Sequence, residues 1–198
     1  KAILVGRVGN GEIANLIKAA EGGAKVFFLE RDIFFDDINI KELKGSAVSL
    51  FDDKWCLITA GTGDNYNTMT ASWGAMGELW NKDVCFCFIR PQRYTYEFME
   101  KNDLFTVSFF DEKFRPALSF CGSYSGRDVD KAQKTGLDPL FIDGTTAFEQ
   151  AEMVLVCKKI YAQDMDLNCL ADEVKPINGN DPIHKQYIGE ILKVYVKE

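Results

Sequence analysis

The sequence predicts a mainly β protein, built as an antiparallel barrel with short helices and a small N-terminal α/β appendage. Three observations predict it. Apolar, β-branched runs of strand length recur at 55–62, 66–73, 83–89, 104–110, 153–162 and 187–196. The helical stretches between them are short and irregular, so the regular βα alternation of a doubly wound sheet is missing. The first forty residues have a texture of their own: an apolar run at 2–5, helical spacing over 12–20 and a second apolar run at 26–29.

The chain divides on this reading into residues 1–40, an appendage, and 41–198, the main domain. In the appendage, Ile13, Leu16, Ile17 and Ala20 share one helical face, and Gly22-Gly23 ends it. The glycines of Gly6-Arg7-Val8-Gly9-Asn10-Gly11 come in the order GxxGxG. A dinucleotide loop needs GxGxxG, so no nucleotide site is expected there. In the main domain, residues 42–51 suit a short helix. Gly61-Thr62-Gly63-Asp64-Asn65 is turn chemistry between two strands. Pro91 is expected at the first position of a helix reaching Lys101, where its missing N–H costs nothing. Helices are also expected over 112–120 and 129–135, with a flexible loop at 122–126. Residues 171–182 hold two prolines and a glycine and read as loop.

Composition narrows the function classes. With 198 residues, 46% hydrophobic and 27% charged, the chain reads as a soluble globular protein. Its net charge of −7 and its scattered acids argue against a nucleic-acid partner. No run of eighteen apolar residues and no leader pattern is visible, so neither a membrane span nor export is expected, and the location is expected to be cytoplasmic. Six cysteines include no CxxC, and the single histidine is remote from them in sequence. Reduced, mostly buried thiols are expected, and no metal site. GxSxG and HExxH are absent.

Two segments carry chemistry. The turn from Arg90 through Pro91, Arg93, Tyr94 and Thr95 brings guanidiniums, a hydroxyl and a helix start together. A phosphate dianion wants that donor set. The competing reading pairs Arg90 and Arg93 with Glu97 or Glu100. The strand Asn67-Thr68-Met69-Thr70-Ala71-Ser72-Trp73 has Thr68, Thr70 and Ser72 on one face and Met69, Ala71 and Trp73 on the other. It could present hydroxyls, main-chain N–H groups and an apolar wall to a flat, polar-edged ring. It could equally be a half-buried strand with its threonines in water. Trp55, Trp73 and Trp80 suit core anchors.

The lines NTMTASWG, WNKDVCFCFIRPQRYTYEF and SGRDVDK resemble the flavin reductase-like family, flavoredoxin type, over about residues 43–198. The resemblance implies a split β-barrel of Greek-key type, usually a homodimer, that binds FMN near the subunit interface. It implies flavin contacts from Asn67, Thr68, Met69, Thr70, Ala71 and Ser72, with Trp73 beside them. It implies phosphate contacts from Arg90, Arg93, Tyr94 and Thr95, with Lys131 as a further one; Arg127 and Asp130 can equally be structural. The implied activity is NAD(P)H-dependent flavin reduction, with electrons passed to a small-molecule or protein acceptor. The alternative within the family is an FMN electron carrier with no nicotinamide site of its own. A histidine before the last strand, His184 here, is implied to place nicotinamide or stabilise reduced flavin. From position alone His184 could instead cap its loop. The first forty residues have no counterpart in the resemblance.

Overall fold

A computed structural model describes residues 2–5, 25–28 and 35–197. The chain falls into two units, Lys1–Phe34 and Phe35–Glu198. In the first, β1 (Ala2–Val5) and β2 (Lys25–Phe28) pair in parallel, a pairing that needs a crossover connection. The helix expected over 12–20 and the glycine-rich segment 6–11 lie outside the described residues.

The second unit is organised by one eight-stranded antiparallel sheet. Its strands are β3 (Phe35–Ile38), β4 (Cys56–Thr62), β5 (Asn65–Ala71), β6 (Gly74–Leu79), β7 (Lys82–Ile89), β8 (Leu104–Phe109), β11 (Met153–Asp164) and β12 (Lys185–Lys197). The order is β5-β4-β8-β11-β12-β7-β6, with β3 paired to β12 off that path. β9 (Pro139–Ile142) and β10 (Thr145–Phe148) form a separate hairpin. Among the described residues β5 pairs only with β4 and β6 only with β7, so the sheet curls round its core without closing. The fold is mainly β, an antiparallel split barrel with short helices, as the sequence predicts.

The core follows from period-two alternation. Cys85, Cys87 and Ile89 of β7 point inward, with Ile58 of β4, Val107 of β8, Leu155 of β11 and Tyr187 of β12. β4 is buried on both faces: Leu57 and Thr59 are as inaccessible as Cys56 and Ile58. β10 covers its outer side, where the Thr146 hydroxyl donates to the Gly61 carbonyl at 3.0 Å. Gly189 lets β12 cross the core, since a Cβ there would stand 2.5 Å from the Phe105 ring and 2.9 Å from Cys157.

Several local expectations are corrected. The helix after Pro91 starts three residues later, as α2 (Tyr94–Lys101), below numbered after α1 (Ala47–Ser49). Arg93 is its extended N-cap, at φ −72° and ψ 132°, and Arg90 to Arg93 form a turn closed at 3.0 Å. α3 (Arg115–Ser123) carries Pro116 in its first turn, and α4 (Lys131–Thr135) is capped by Asp130, whose carboxylate accepts from the Gln133 N–H at 3.0 Å. The segment read as loop at 171–182 contains α5 (Lys175–Asn178). The residues at 50–54 widen into a π-type turn. β6, β9 and β10 add to the elements expected from sequence.

Phe35–Ile38, placed on sequence in the appendage, pairs with Val194–Lys197 of β12 and buries Phe35. A chain that starts at Phe35 is therefore expected to fold and melt as one unit. A chain that starts at Asn39 leaves the end of β12 unpaired and is expected to melt lower. Circular dichroism on the two truncations decides it; equal melting would remove β3 from the stabilising set.

Candidate functional site

The site is built on the open edge of β5. Lys131 Nζ donates to the Thr68 carbonyl at 2.7 Å, so that carbonyl points away from β4. Main-chain groups alternate along a strand; Thr70 therefore shares the outward direction with Thr68. An edge strand offers such groups to any partner that can pair with them.

Of the residues singled out on sequence, Met69, Thr70, Ala71, Ser72, Trp73, Arg90, Arg93 and His184 line one cavity of about 190 Å³, with Phe88. Met69 and Ala71 turn their side chains into the core, whereas Trp73 stays 51% exposed. Asn67, Thr68 and Lys131 line a second cavity, of about 370 Å³, against the loop from Gly126. Tyr94 and Thr95 line neither. Thr95 is fully buried and accepts from the Asn67 amide at 2.7 Å. The Tyr94 ring lies under the Arg127 guanidinium, 4.6 Å away. Phe88 was missed on sequence, although alternation on β7 with Cys85, Cys87 and Ile89 inward required it to point out.

The polar side chains are organised among themselves. Three of them hold α3: the Thr70 hydroxyl donates to the Leu118 carbonyl in mid-helix, and at the C-terminal end Lys131 donates to the Cys121 carbonyl at 2.7 Å and Arg93 to the Gly122 carbonyl at 2.9 Å. Cations at a helix C-terminus satisfy its orphan carbonyls and oppose its dipole. Burial, with Arg93 as a further cationic neighbour, pulls the Lys131 amine down to about 8. The Thr68 hydroxyl pairs with that of Thr59 at 2.8 Å. Gly126 makes the loop's approach possible, because a Cβ there would meet Asn67 Oδ1 at 1.9 Å.

Arg90 is the anchor of the loop that carries His184. Its guanidinium forms an ion pair with Asp181 at 3.0 Å and donates to the Pro182 carbonyl at 3.3 Å and to His184 Nε2 at 3.2 Å. Nε2 thus accepts, and the network puts the neutral ring's proton on Nδ1. Burial first, then the Arg90 charge, lower the His184 pKa, with Asp181 opposing. The ring is neutral at pH 7 and lies 5.3 Å from Trp73, centroid to centroid. The alternative pairing of the arginines with α2 is not what forms: Glu97 binds Arg127, and Glu100 binds Lys185 and the Tyr187 hydroxyl, each at 2.7 Å.

The sequence profile of the flavin reductase like domain matches residues 48–198. The chain belongs to the flavin reductase-like family. Solved structures agree on the fold. A flavoredoxin from Methanosarcina acetivorans superposes with a TM-score of 0.60 at 20% identity, over 73% of this chain and 69% of that one. The FMN-binding domain of a flavin reductase-like enzyme from Shewanella baltica gives 0.62 at 17%, over 84% and 79%. The flavoredoxin of Desulfovibrio vulgaris gives 0.58 at 23%, over 73% and 70%. A search of curated proteins finds no match.

The donor set fits a flavin mononucleotide. The exposed Arg93 guanidinium suits a phosphate, the open β5 edge suits the polar rim of the ring, and Trp73 and Phe88 supply apolar walls. Among the described residues no group of His, Cys, Asp and Glu is placed to hold a metal ion, and no helix is long and apolar enough to cross a membrane. All six cysteines are free thiols, and only Cys169 is exposed.

Proposed function

We propose that this protein binds FMN in the cleft between the β5 edge, Trp73 and Phe88, and passes electrons from NAD(P)H to an acceptor. The observation that carries the reading is the convergence of Arg90, Arg93, His184, Thr70 and Ser72 on one cavity with an exposed tryptophan as its wall. The flavin supplies hydride and electron transfer. The chain's own residues bind and orient. Arg93, exposed apart from its bond to Gly122, is the phosphate holder; Arg90 fixes the loop; His184 offers Nδ1–H as a donor. No residue needs to abstract a proton. A cytoplasmic homodimer is part of the same proposal, and light scattering tests the assembly.

A second reading, an FMN electron carrier without its own nicotinamide site, is favoured by the charge around the cleft. Residues 164–181 carry Asp164, Asp166, Asp172, Glu173 and Asp181 against Lys175 alone, which disfavours a pyrophosphate. NADH and NADPH oxidation by FMN-loaded protein separates the two. His184→Ala should leave FMN bound and slow that oxidation; an unchanged rate returns His184 to loop capping.

The phosphate holder has its own test. Arg93→Ala removes a charge-assisted bond worth about 1.5–3 kcal/mol, so FMN should bind roughly ten- to a hundredfold more weakly. Riboflavin, which lacks the phosphate, should bind both proteins alike. Equal FMN affinity in the variant would sink the assignment.

A further inference from the structure

Beside the proposed flavin cleft lies a cavity of a different character. It is about 230 Å³ and shares Trp73, Phe88 and His184 with the cleft. Its other walls come from the segment after β11, chiefly Leu170, Val174 and Ile177. The lining is almost wholly apolar. The mouth keeps large apolar side chains in water: Ile177 is 64% exposed and Val174 39%.

The covering segment is tied down at both ends. The Met165 N–H donates to the His184 carbonyl at 3.0 Å. The buried Asn178 amide donates to the Asp181 carbonyl at 3.0 Å, and Asp181 is held by Arg90. The apolar walls are therefore held in place by the arginine that positions His184.

We propose that this cavity is a binding subsite for a small, neutral, apolar ring compound, seated against the flavin cleft. The inference rests on the proposed flavin site for its position but not for its chemistry. The walls give burial and no charge partner, so they reward an apolar body. The covering segment carries Asp166, Asp172, Glu173 and Asp181; Lys175 pairs with Asp172 and Arg90 with Asp181, and the negative charge that remains disfavours anions and leaves neutral molecules unaffected. The volume lies below the roughly 300–1,000 Å³ of drug-sized pockets, so the occupant is about the size of two fused rings. His184 and Trp73, common to both cavities, place that ring next to whatever the cleft holds.

The test compares 2-naphthol, neutral at pH 7, with the 2-naphthoate anion by calorimetry, on the full chain with and without FMN. Naphthol should bind at least tenfold more tightly than naphthoate. Leu170→Trp, which fills the cavity, and Ile177→Asp, which charges its mouth, should each weaken naphthol at least tenfold and leave FMN affinity unchanged. Naphthol should also perturb the visible absorbance of bound FMN. Equal binding of the two probes, or no response to either variant, overturns the proposal. So does a dimer that Ile177→Asp dissociates in protein that never binds naphthol, since the patch is then an interface. Naphthol binding in protein that takes up no FMN upholds the subsite and rejects the flavin site. FMN uptake without naphthol binding does the reverse.

Discussion

Gly61→Ala is expected to be among the most damaging single-methyl changes in the barrel. Gly61 sits at φ +94°, where an L side chain is strained. Its new Cβ would stand 2.3 Å from the Asn65 carbonyl oxygen and 2.8 Å from the Tyr66 Cα. Both are backbone atoms, so no side chain can swing aside. Backbone strain of about 1–3 kcal/mol adds to overpacking of about 1–3 kcal/mol, for a loss of roughly 3 kcal/mol. In a unit of this size that lowers the melting temperature by about 6–12 °C. The displaced atoms start β5, two residues before Asn67, so FMN binding should weaken as well. Gly77→Ala, with nothing within 4 Å of the added methyl, is the control and should melt within about 2 °C of the parent. Equal melting of the two variants would show that the hairpin yields freely.

Arg90→Ala is expected to act through the loop rather than through direct loss of one contact. It removes the ion pair to Asp181 and the bonds to Pro182 and His184 together. FMN affinity should fall more than tenfold, on the scale of one or two charge-assisted bonds. The His184 pKa should rise, because the guanidinium is one of the causes that lower it. The sign for stability follows. A histidine whose folded pKa is depressed contributes stability that is present above the unfolded value of about 6.5 and lost as pH falls through the folded value. In Arg90→Ala that window narrows, and the acid side of the stability profile should flatten. The chain has one histidine, so a single proton resonance reports the titration. Arg90→Lys separates charge from shape: a point charge keeps the pKa low, while the forked contacts to the loop are lost. An unmoved His184 pKa in Arg90→Ala would break the link.

The sequence carried the fold because the long strands obey period two over apolar, β-branched runs, and because turn chemistry such as Gly61 to Asn65 is local. It carried the two halves of the site for the same reason: β5 and the arginine turn are each contiguous. It did not carry β6, whose two glycines break the apolar, β-branched pattern, or β3, whose partner lies about 160 residues away. It also could not show that Arg93 and Lys131 converge on the last carbonyls of α3 while Thr70 bonds to Leu118 one turn earlier, since main-chain acceptors leave no mark on composition. Thr95 illustrates the same limit. Its place in the turn suggested a ligand contact, whereas long-range packing buries it against Asn67.

The thiols bear on how the molecule can be watched. Five of the six are sealed in the interior, and Cys169 alone meets water, in the short turn next to Leu170 at the mouth of the apolar cavity. Burial holds Cys56 and Cys157 well above the ordinary thiol range and pushes Cys121 up to about 11, and hydrogen bonding with Cys85 raises Cys87. Cys85 itself is lowered by its Cys157 and Cys87 neighbours, but all five are out of reach of solvent, which shields them from reagents. A thiol-directed fluorophore therefore lands at one place on the unaltered chain. The protein carries its own labelling position, a residue away from the wall whose occupancy is in question.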